Sequence, residues 1–318
     1  MQRRLLLPTL ALALSVTGCA AFSDDGGSAT DGGGGAGGKV KVAAAFYPLA
    51  FLAERVGGDR VEVTNLTSPG AEPHDLELTV KETAEIEDAD LLLVEHGLQP
   101  AVDDAVGQVA GGTVLDAADV VELMPADGDA EEEGHSEEDG HDHGDEDVDP
   151  HFWQDPTRMA TLAEATAKDL AEIDPDHAEE YQANADSLVS DLTALDSAYA
   201  EGLAGCQRST IVVSHDAFSY LEKYGLQVEG IAGLSPDAEP TPADLARLQD
   251  LITSDGITTV FSERLVSQRL SQSLADDLGI TTEVLDPIEG LSDETSGEDY
   301  LSLMEQNLAA LETANGCA

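Results

Sequence analysis

The chain has 318 residues, of which 42% are hydrophobic and 25% charged, and its formal net charge is −51. A chain of this length can build two domains of ordinary size, each with a packed core. The excess of acidic residues argues strongly against nucleic-acid binding, which needs a basic surface, and it favours cationic ligands.

The N-terminus has the features of an export signal. Two arginines precede an apolar run over residues 5–16, which is too short to span a bilayer as a stable helix. Small residues then lead to Cys19, and this pattern resembles a bacterial lipobox, which implies cleavage before Cys19 and lipidation of its thiol. An ordinary secretory signal is the alternative. We expect residues 1–19 to be a signal peptide and residues 20–38 a flexible tether to the extracytoplasmic face of the cell membrane.

Strands and helices are predicted to alternate over residues 39–174, as in a doubly wound α/β domain. The predicted strands are residues 39–46, 61–66, 90–95 and 113–115, and the predicted helices are residues 49–56, 79–88, 102–109 and 156–173. This region forms the first predicted lobe.

A long helix and a second α/β region follow. Apolar residues recur at helical spacing over residues 175–204, which predicts a helix long enough to bridge two domains. In the second lobe, residues 205–318, we predict strands at 211–213, 228–232, 258–261 and 282–285, and helices at 218–224, 242–254, 265–278 and 300–314. The fold class is therefore α/β. Two similar lobes, each a small, mostly parallel sheet with flanking helices, are joined by one long rigid helix, and a ligand is expected in the cleft between them.

Residues 126–149 form an acidic, histidine-containing loop that interrupts the first lobe. They include three histidines and thirteen acidic residues but no lysine or arginine, so they cannot pack into a core. His135, His141 and His143 lie beside flexible glycines, and imidazoles among carboxylates predict a loose, low-affinity cation collector. The alternative is a disordered acidic spacer in which these histidines are incidental.

Candidate metal ligands lie after predicted strands or in loops that face the cleft. His74, His151 and His215 supply three imidazoles, and Asp286 supplies one carboxylate, a set that suits tetrahedral Zn²⁺. Asp286 could instead be a turn residue before a proline. Glu263 also follows a strand, and we predict that it orients a ligand imidazole, with a surface ion pair as the alternative.

With Cys19 assigned to lipidation, two cysteines remain, Cys206 and Cys317. An exported protein with two cysteines usually pairs them. We predict a disulfide that attaches the C-terminus to the start of the second lobe.

These motifs together resemble the metal-binding lipoproteins of bacterial ABC importers, and most closely their zinc-uptake branch. The resemblance covers about residues 39–315. It rests on the lipobox, the histidine-containing loop and four short motifs: Pro73-His74-Asp75, Asp149-Pro150-His151-Phe152-Trp153-Gln154-Asp155-Pro156, Ser214-His215-Asp216-Ala217-Phe218 and Leu285-Asp286-Pro287. The resemblance implies a two-lobed solute-binding fold with one metal in the cleft, with His74, His151 and His215 as ligands and the Asp286 position or water as the fourth.

The resemblance implies a lipid-anchored zinc receptor, expected to be monomeric, that delivers Zn²⁺ to a membrane ABC permease. A manganese branch commonly carries a carboxylate at the position of His215, so the imidazole here favours Zn²⁺ over Mn²⁺. The alternatives are a manganese receptor of the same type, a metal-dependent surface adhesin, and a cation buffer that acts through the loop alone. A zinc enzyme is disfavoured because the chain has no His-Glu-x-x-His motif and a fourth protein ligand would close the site.

Overall fold

A computed structural model describes residues 38–108, 111–126 and 148–317 of the chain. The predicted signal peptide, the tether up to residue 37, Cys19 and the loop histidines His135, His141 and His143 lie outside the described residues. Within these ranges, no helix combines the length and the apolar character needed to cross a bilayer.

The first lobe is built on a four-stranded parallel sheet with the strand order β2-β1-β3-β4. Its elements, in chain order, are β1 (Val40–Ala44), α1 (Tyr47–Gly57), β2 (Val61–Asn65), α2 (Val80–Asp88), β3 (Leu91–Val94), α3 (Pro100–Val106), β4 (Thr113–Asp116), the antiparallel pair β5 (Met124–Pro125) and β6 (Val148–Asp149), and α4 (Pro156–Ile173). All four residues of β3 are buried, as its apolar sequence predicts for a central parallel strand.

The long helix α5 (Ala178–Gly202) begins after a short 3-10 turn at Pro175–His177 and is about 37 Å long at 1.5 Å per residue. It contacts both lobes. Near its start, the amide of Asn184 donates to the carbonyl oxygen of Val56 in α1 at 3.0 Å. Near its end, the hydroxyl of Tyr199 donates to the carbonyl oxygen of Met304 at 2.7 Å. The predicted bridging helix is therefore present and makes polar contacts with both lobes.

The second lobe repeats the arrangement of the first, with the sheet order β10-β9-β7-β8. Its elements are β7 (Thr210–Val213), β8 (Gln227–Gly230), α6 (Pro242–Asp255), β9 (Thr259–Ser262), α7 (Arg269–Leu278), β10 (Thr281–Val284) and α8 (Tyr300–Asn315). In each lobe the second strand lies on one side of the first and the third strand on the other. This change of direction opens a crevice at the carboxyl ends of the strands, where such sheets bind ligands.

The predicted helix at residues 218–224 is a 3-10 helix, Ser219–Tyr224. The disulfide between Cys206 and Cys317 is present and closes a sequence separation of 111 residues. It attaches the end of the chain to the segment between α5 and β7, as predicted.

One large cluster of buried apolar residues runs through both lobes, and a second, smaller cluster lies in the second lobe. Within the shared cluster, the rings of Phe46 and Trp153 lie 4.8 Å apart and those of Phe51 and Tyr300 lie 5.3 Å apart. The hydroxyl of Tyr300 also donates to the carbonyl oxygen of Trp153. Side chains at the cleft are therefore held from both sides by a packed interior.

Candidate metal centre

His74 lies in the loop between β2 and α2, at the mouth of the cleft. Its side chain is 12% exposed. Its backbone N–H donates to Oε1 of Glu72 at 3.0 Å. The carbonyl oxygen of the preceding Pro73 accepts from Nε2 of the buried Gln99 at 3.1 Å. The loop is thus fixed on both sides of the histidine.

His151 is fully buried between β6 and a short 3-10 turn, Phe152–Gln154. Oδ1 of Asp149 accepts from the backbone N–H of His151 at 2.9 Å and lies 2.7 Å from its Nδ1. A proton on Nδ1 leaves Nε2 as the free acceptor, which is the state that a metal ligand requires.

His215 is also fully buried, two residues after β7 at the point where the strand order of the second sheet reverses. Its Nδ1 lies 2.7 Å from Oε1 of Glu263, which follows β9. This is the geometry that an orienting carboxylate needs.

The three imidazoles converge on Glu289, not on Asp286. Oε1 of Glu289 lies 3.5 Å from Nε2 of His74, 3.5 Å from Nε2 of His151 and 3.3 Å from Nε2 of His215. One ligand atom from each of the four residues lies within 4.8 Å of the others. Two of the four come from each lobe, so one ion would bridge the lobes.

Asp286, predicted as the fourth ligand, belongs instead to the turn that presents Glu289. Its Oδ1 accepts from the backbone N–H of Ile288 at 2.9 Å, and its Oδ2 accepts from Nε of Arg264 at 3.1 Å. Among the described non-glycine residues, only Ile288 has a positive φ, at 61°. This conformation carries the chain past Asp286 and directs Glu289 to the imidazoles. These contacts fit the turn role considered for Asp286 from the sequence.

The predicted loop 126–149 is also shorter at its C-terminal end than expected. Val148 and Asp149 form β6, which pairs with β5, and Asp149 is 1% exposed. The sequence did not identify Asp149 or Glu289 as parts of the site. The Asp-Pro-His spacing was an available signal, because an aspartate commonly accepts from the backbone N–H two residues later.

The charges of the site are mutually dependent. Burial alone would raise the pKa of Glu289, but the imidazoles of His151, His215 and His74 around its carboxylate hold it well below its usual range. Burial would lower the pKa of His215, yet the charge and hydrogen bond of Glu263 outweigh it and the pKa lies well above its usual range. Three buried atoms, both carboxylate oxygens of Glu289 and Nε2 of His215, have no hydrogen-bond partner. A divalent cation would satisfy them, since three imidazoles and one carboxylate fit tetrahedral Zn²⁺.

Two α/β lobes joined by a long helix, with three imidazoles and one carboxylate that could hold a metal ion in the cleft, define the class of two-lobed α/β proteins with a candidate metal site between the lobes. The chain belongs to the family described as the zinc-uptake complex component A, periplasmic, whose model matches residues 42–314.

Named relatives and solved structures agree with this assignment. The zinc-binding lipoprotein AdcA of Streptococcus pneumoniae is 38% identical over 285 residues, a match covering 86% of this chain and 55% of AdcA. The chain thus spans about half the length of that relative. The high-affinity zinc uptake system protein ZnuA of Bacillus subtilis is 34% identical over 282 residues, which cover 86% of this chain and 87% of ZnuA.

Among solved structures, the Zn(II)-bound ZnuA-like domain of Streptococcus pneumoniae AdcA is similar, with a TM-score of 0.72 and 34% identity over 87% of this chain and 99% of the domain. The laminin-binding protein Lmb of Streptococcus agalactiae has a TM-score of 0.75 and 27% identity over 86% of this chain and 99% of Lmb. Lmb is described as bifunctional, with adhesin and metal-transporting activity.

Proposed function

We propose that this protein is an extracytoplasmic zinc receptor that binds one Zn²⁺ in the cleft and delivers it to an ABC permease for import. The ligands are His74, His151, His215 and Glu289. The convergence of three imidazole Nε2 atoms on one buried carboxylate oxygen carries this proposal. Family membership and the zinc-binding relatives support it.

The donor set favours zinc over manganese. Imidazole suits Zn²⁺, whereas Mn²⁺ prefers sites rich in carboxylate, carbonyl and water oxygens. His151 and His215 are each held by an acidic partner, Asp149 and Glu263, that fixes the tautomer and raises the basicity of the ligand nitrogen. Both features favour tight binding of Zn²⁺ in the cleft.

Lipidation at Cys19 would keep the receptor at the outer face of the cell membrane, close to its permease. The loop histidines His135, His141 and His143 would raise the local concentration of zinc through weak binding. We propose that the receptor acts as a monomer, because one chain supplies all four ligands.

The test compares two acidic-to-amide variants three residues apart. In the full chain, Glu289→Gln should lower Zn²⁺ affinity at least tenfold, on the order of the effect of losing a metal-site partner. Asp286→Asn is the matched control and should lower it less, because Asp286 contributes a turn contact rather than a ligand atom. Equilibrium competition against Mn²⁺ and a chelator, with metal analysis after dialysis, measures both. A wild-type protein that retains Mn²⁺ in preference to Zn²⁺ would refute the zinc assignment.

A second candidate function is adhesion to a host surface, favoured by the similarity to Lmb. Binding of the zinc-loaded and chelator-treated protein to immobilised laminin tests it. Metal-dependent capture would support an adhesin role, and no capture in either state would leave transport as the function.

A further inference from the structure

Tyr220 of the second lobe contacts the short strands β5 and β6 of the first lobe, which flank residues 127–147 in the sequence. It lies in the 3-10 helix Ser219–Tyr224 and is 1% exposed. Its hydroxyl donates to the carbonyl oxygen of Asp149 at 2.6 Å and accepts from the backbone N–H of Met124 at 2.9 Å. Asp149 and Met124 are neighbours in the β5–β6 pair.

The β5–β6 pair needs this support. Each strand has only two residues, Met124 opposite Asp149 and Pro125 opposite Val148. Even a longer isolated two-stranded hairpin is at best marginally stable in water. Tyr220 binds the backbone of both members of the first pair, so its hydroxyl holds together the two short strands β5 and β6.

Asp149 continues this chain of contacts into the metal centre. Its Oδ1 accepts from the backbone N–H of His151 at 2.9 Å and lies 2.7 Å from Nδ1 of the same residue. Asp149 and His151 are 1% and 0% exposed, so neither can exchange these contacts for water without an opening of the site. A shift of the Asp149 backbone therefore rotates or displaces the His151 ring.

The phenol of Tyr220 is itself held in place. The guanidinium of Arg158 lies 4.7 Å from the centre of its ring, and Nε of Arg158 donates to the carbonyl oxygen of Glu122 at 2.8 Å. Burial raises the pKa of Tyr220 well above its usual range, so the hydroxyl keeps the proton that it donates to Asp149. The hydroxyl is a fixed donor rather than a mobile surface group.

We propose that Tyr220 is a positioning residue for the zinc ligand His151 and acts through Asp149. Through this contact, the position of the second lobe and of strands β5 and β6 affects the geometry of the metal site. This inference rests on the proposed zinc-binding function. It assigns Tyr220 no contact with the ion.

The test uses a second tyrosine from the same 3-10 helix as its control. The hydroxyl of Tyr224 donates to Oδ1 of Asp196 at 2.6 Å, a comparable hydrogen bond on the α5 side of that helix. Tyr220→Phe and Tyr224→Phe each remove one hydroxyl from the full chain. We expect Tyr220→Phe to speed Zn²⁺ dissociation about three- to tenfold, the range for losing the hydrogen bond to Asp149, and Tyr224→Phe to leave the rate unchanged. Stopped-flow transfer of Zn²⁺ to a chelator measures it.

A spectroscopic reading separates positioning from a general loss of stability. Co²⁺ placed in the same site should show an altered visible absorption spectrum in Tyr220→Phe and an unaltered spectrum in Tyr224→Phe. The expected reason is that a displaced His151 ring changes the ligand field at the cobalt ion. Equal dissociation rates and equal spectra in the two variants would overturn the proposal for Tyr220. In that case, zinc binding by the wild-type protein would still support the receptor function. A wild-type protein without retained zinc would overturn both.

A double-mutant cycle tests the route through Asp149. If Tyr220 acts through this carboxylate, Tyr220→Phe should add little to the dissociation rate of Asp149→Asn, because the link is already weakened. Fully additive effects on the logarithm of the rate would show that Tyr220 acts by another route and would overturn the assignment of Asp149 as the intermediary.

Discussion

The side chain of Gln154 offers a way to separate zinc affinity from stability. Its Nε2 donates to the carbonyl oxygen of Pro287 at 2.6 Å, and Nε1 of Trp153 donates to the same oxygen at 2.7 Å. Pro287 precedes Ile288, whose φ of 61° is unfavourable for a β-branched residue, and Glu289 follows. The first lobe therefore holds the turn that presents a ligand of the second lobe.

The expected magnitude follows from these contacts. Strain at a residue such as Ile288 costs about 1–3 kcal/mol, and two hydrogen bonds of about 0.5–1.5 kcal/mol each are of the same size. Gln154→Met removes one of them, so the turn can relax and Glu289 can leave the site. Zinc binding must then restore the turn, at a cost of about 1 kcal/mol, or about a fivefold loss of affinity.

Stability should change little in the same variant. Oε1 of Gln154 is buried without a hydrogen-bond partner, so replacing the amide with an apolar chain of similar size also removes an unsatisfied group. The control is Asn184→Leu, which removes the amide contact between α5 and α1 and should leave zinc affinity unchanged. Chelator competition and thermal unfolding of the metal-free protein measure the two quantities. A Gln154→Met protein with wild-type affinity and dissociation rate would refute the idea that the first lobe holds this turn.

Three further outcomes are expected. Glu263 raises the pKa of His215 against the opposing effect of burial, so this histidine stabilises the metal-free protein below pH 6.5 and the stabilisation is lost as pH rises through the pKa of the folded state. Because Zn²⁺ displaces the proton of His215, the increase in Tm that zinc causes should grow with pH above 6.5. An increase that stays constant with pH would contradict this. Replacing Cys206 and Cys317 with serine should lower the free energy of unfolding in urea by up to about 4.7 kcal/mol without changing zinc affinity, and an unchanged unfolding midpoint would contradict it. Deleting residues 127–147 should leave one tightly bound Zn²⁺ by metal analysis, and loss of that ion would assign binding to the loop.

The sequence predicted the fold and three of the four residues that converge in the cleft because both depend on local rules. The alternation of strands and helices predicts two doubly wound sheets, and parallel strands bring their carboxyl ends to one edge. His215 follows β7 by two residues, so its place at the cleft follows directly from the strand prediction. Glu263 follows β9 in the same way.

The choice between Asp286 and Glu289 could not be made by the same rules. Both residues follow β10 within five residues, and both are carboxylates near the cleft. The decision depends on the left-handed conformation of Ile288, and an isoleucine gives no sequence signal for a positive φ, which favours glycine or asparagine. Contacts between the lobes impose this conformation, so tertiary structure overrides the local preference.

The sequence did not identify Asp149 as part of the site for a different reason. It ends a run of thirteen acidic residues, and composition alone assigns all of them to a solvated loop. Only the pairing of β6 with β5 removes Asp149 from that run and buries it beside His151. The same pairing shows that a loop deletion must retain Val148 and Asp149, because a deletion of residues 126–149 would remove a partner of the metal ligand along with the loop.

The contacts around the site are reciprocal between the lobes. Trp153 and Gln154 of the first lobe hold the turn that carries Glu289 of the second, and Tyr220 of the second lobe holds the strand that carries Asp149 of the first. A movement of one lobe against the other therefore disturbs ligands on both sides of the ion at once. A conformational change alters affinity only through contacts that differ between its two states. Separation of the lobes would break these hydrogen bonds, and the loss of these contacts would weaken zinc binding. Variants at either contact should accordingly raise the dissociation rate, and if separation of the lobes breaks both contacts in one step, their effects should add on the logarithm of the rate.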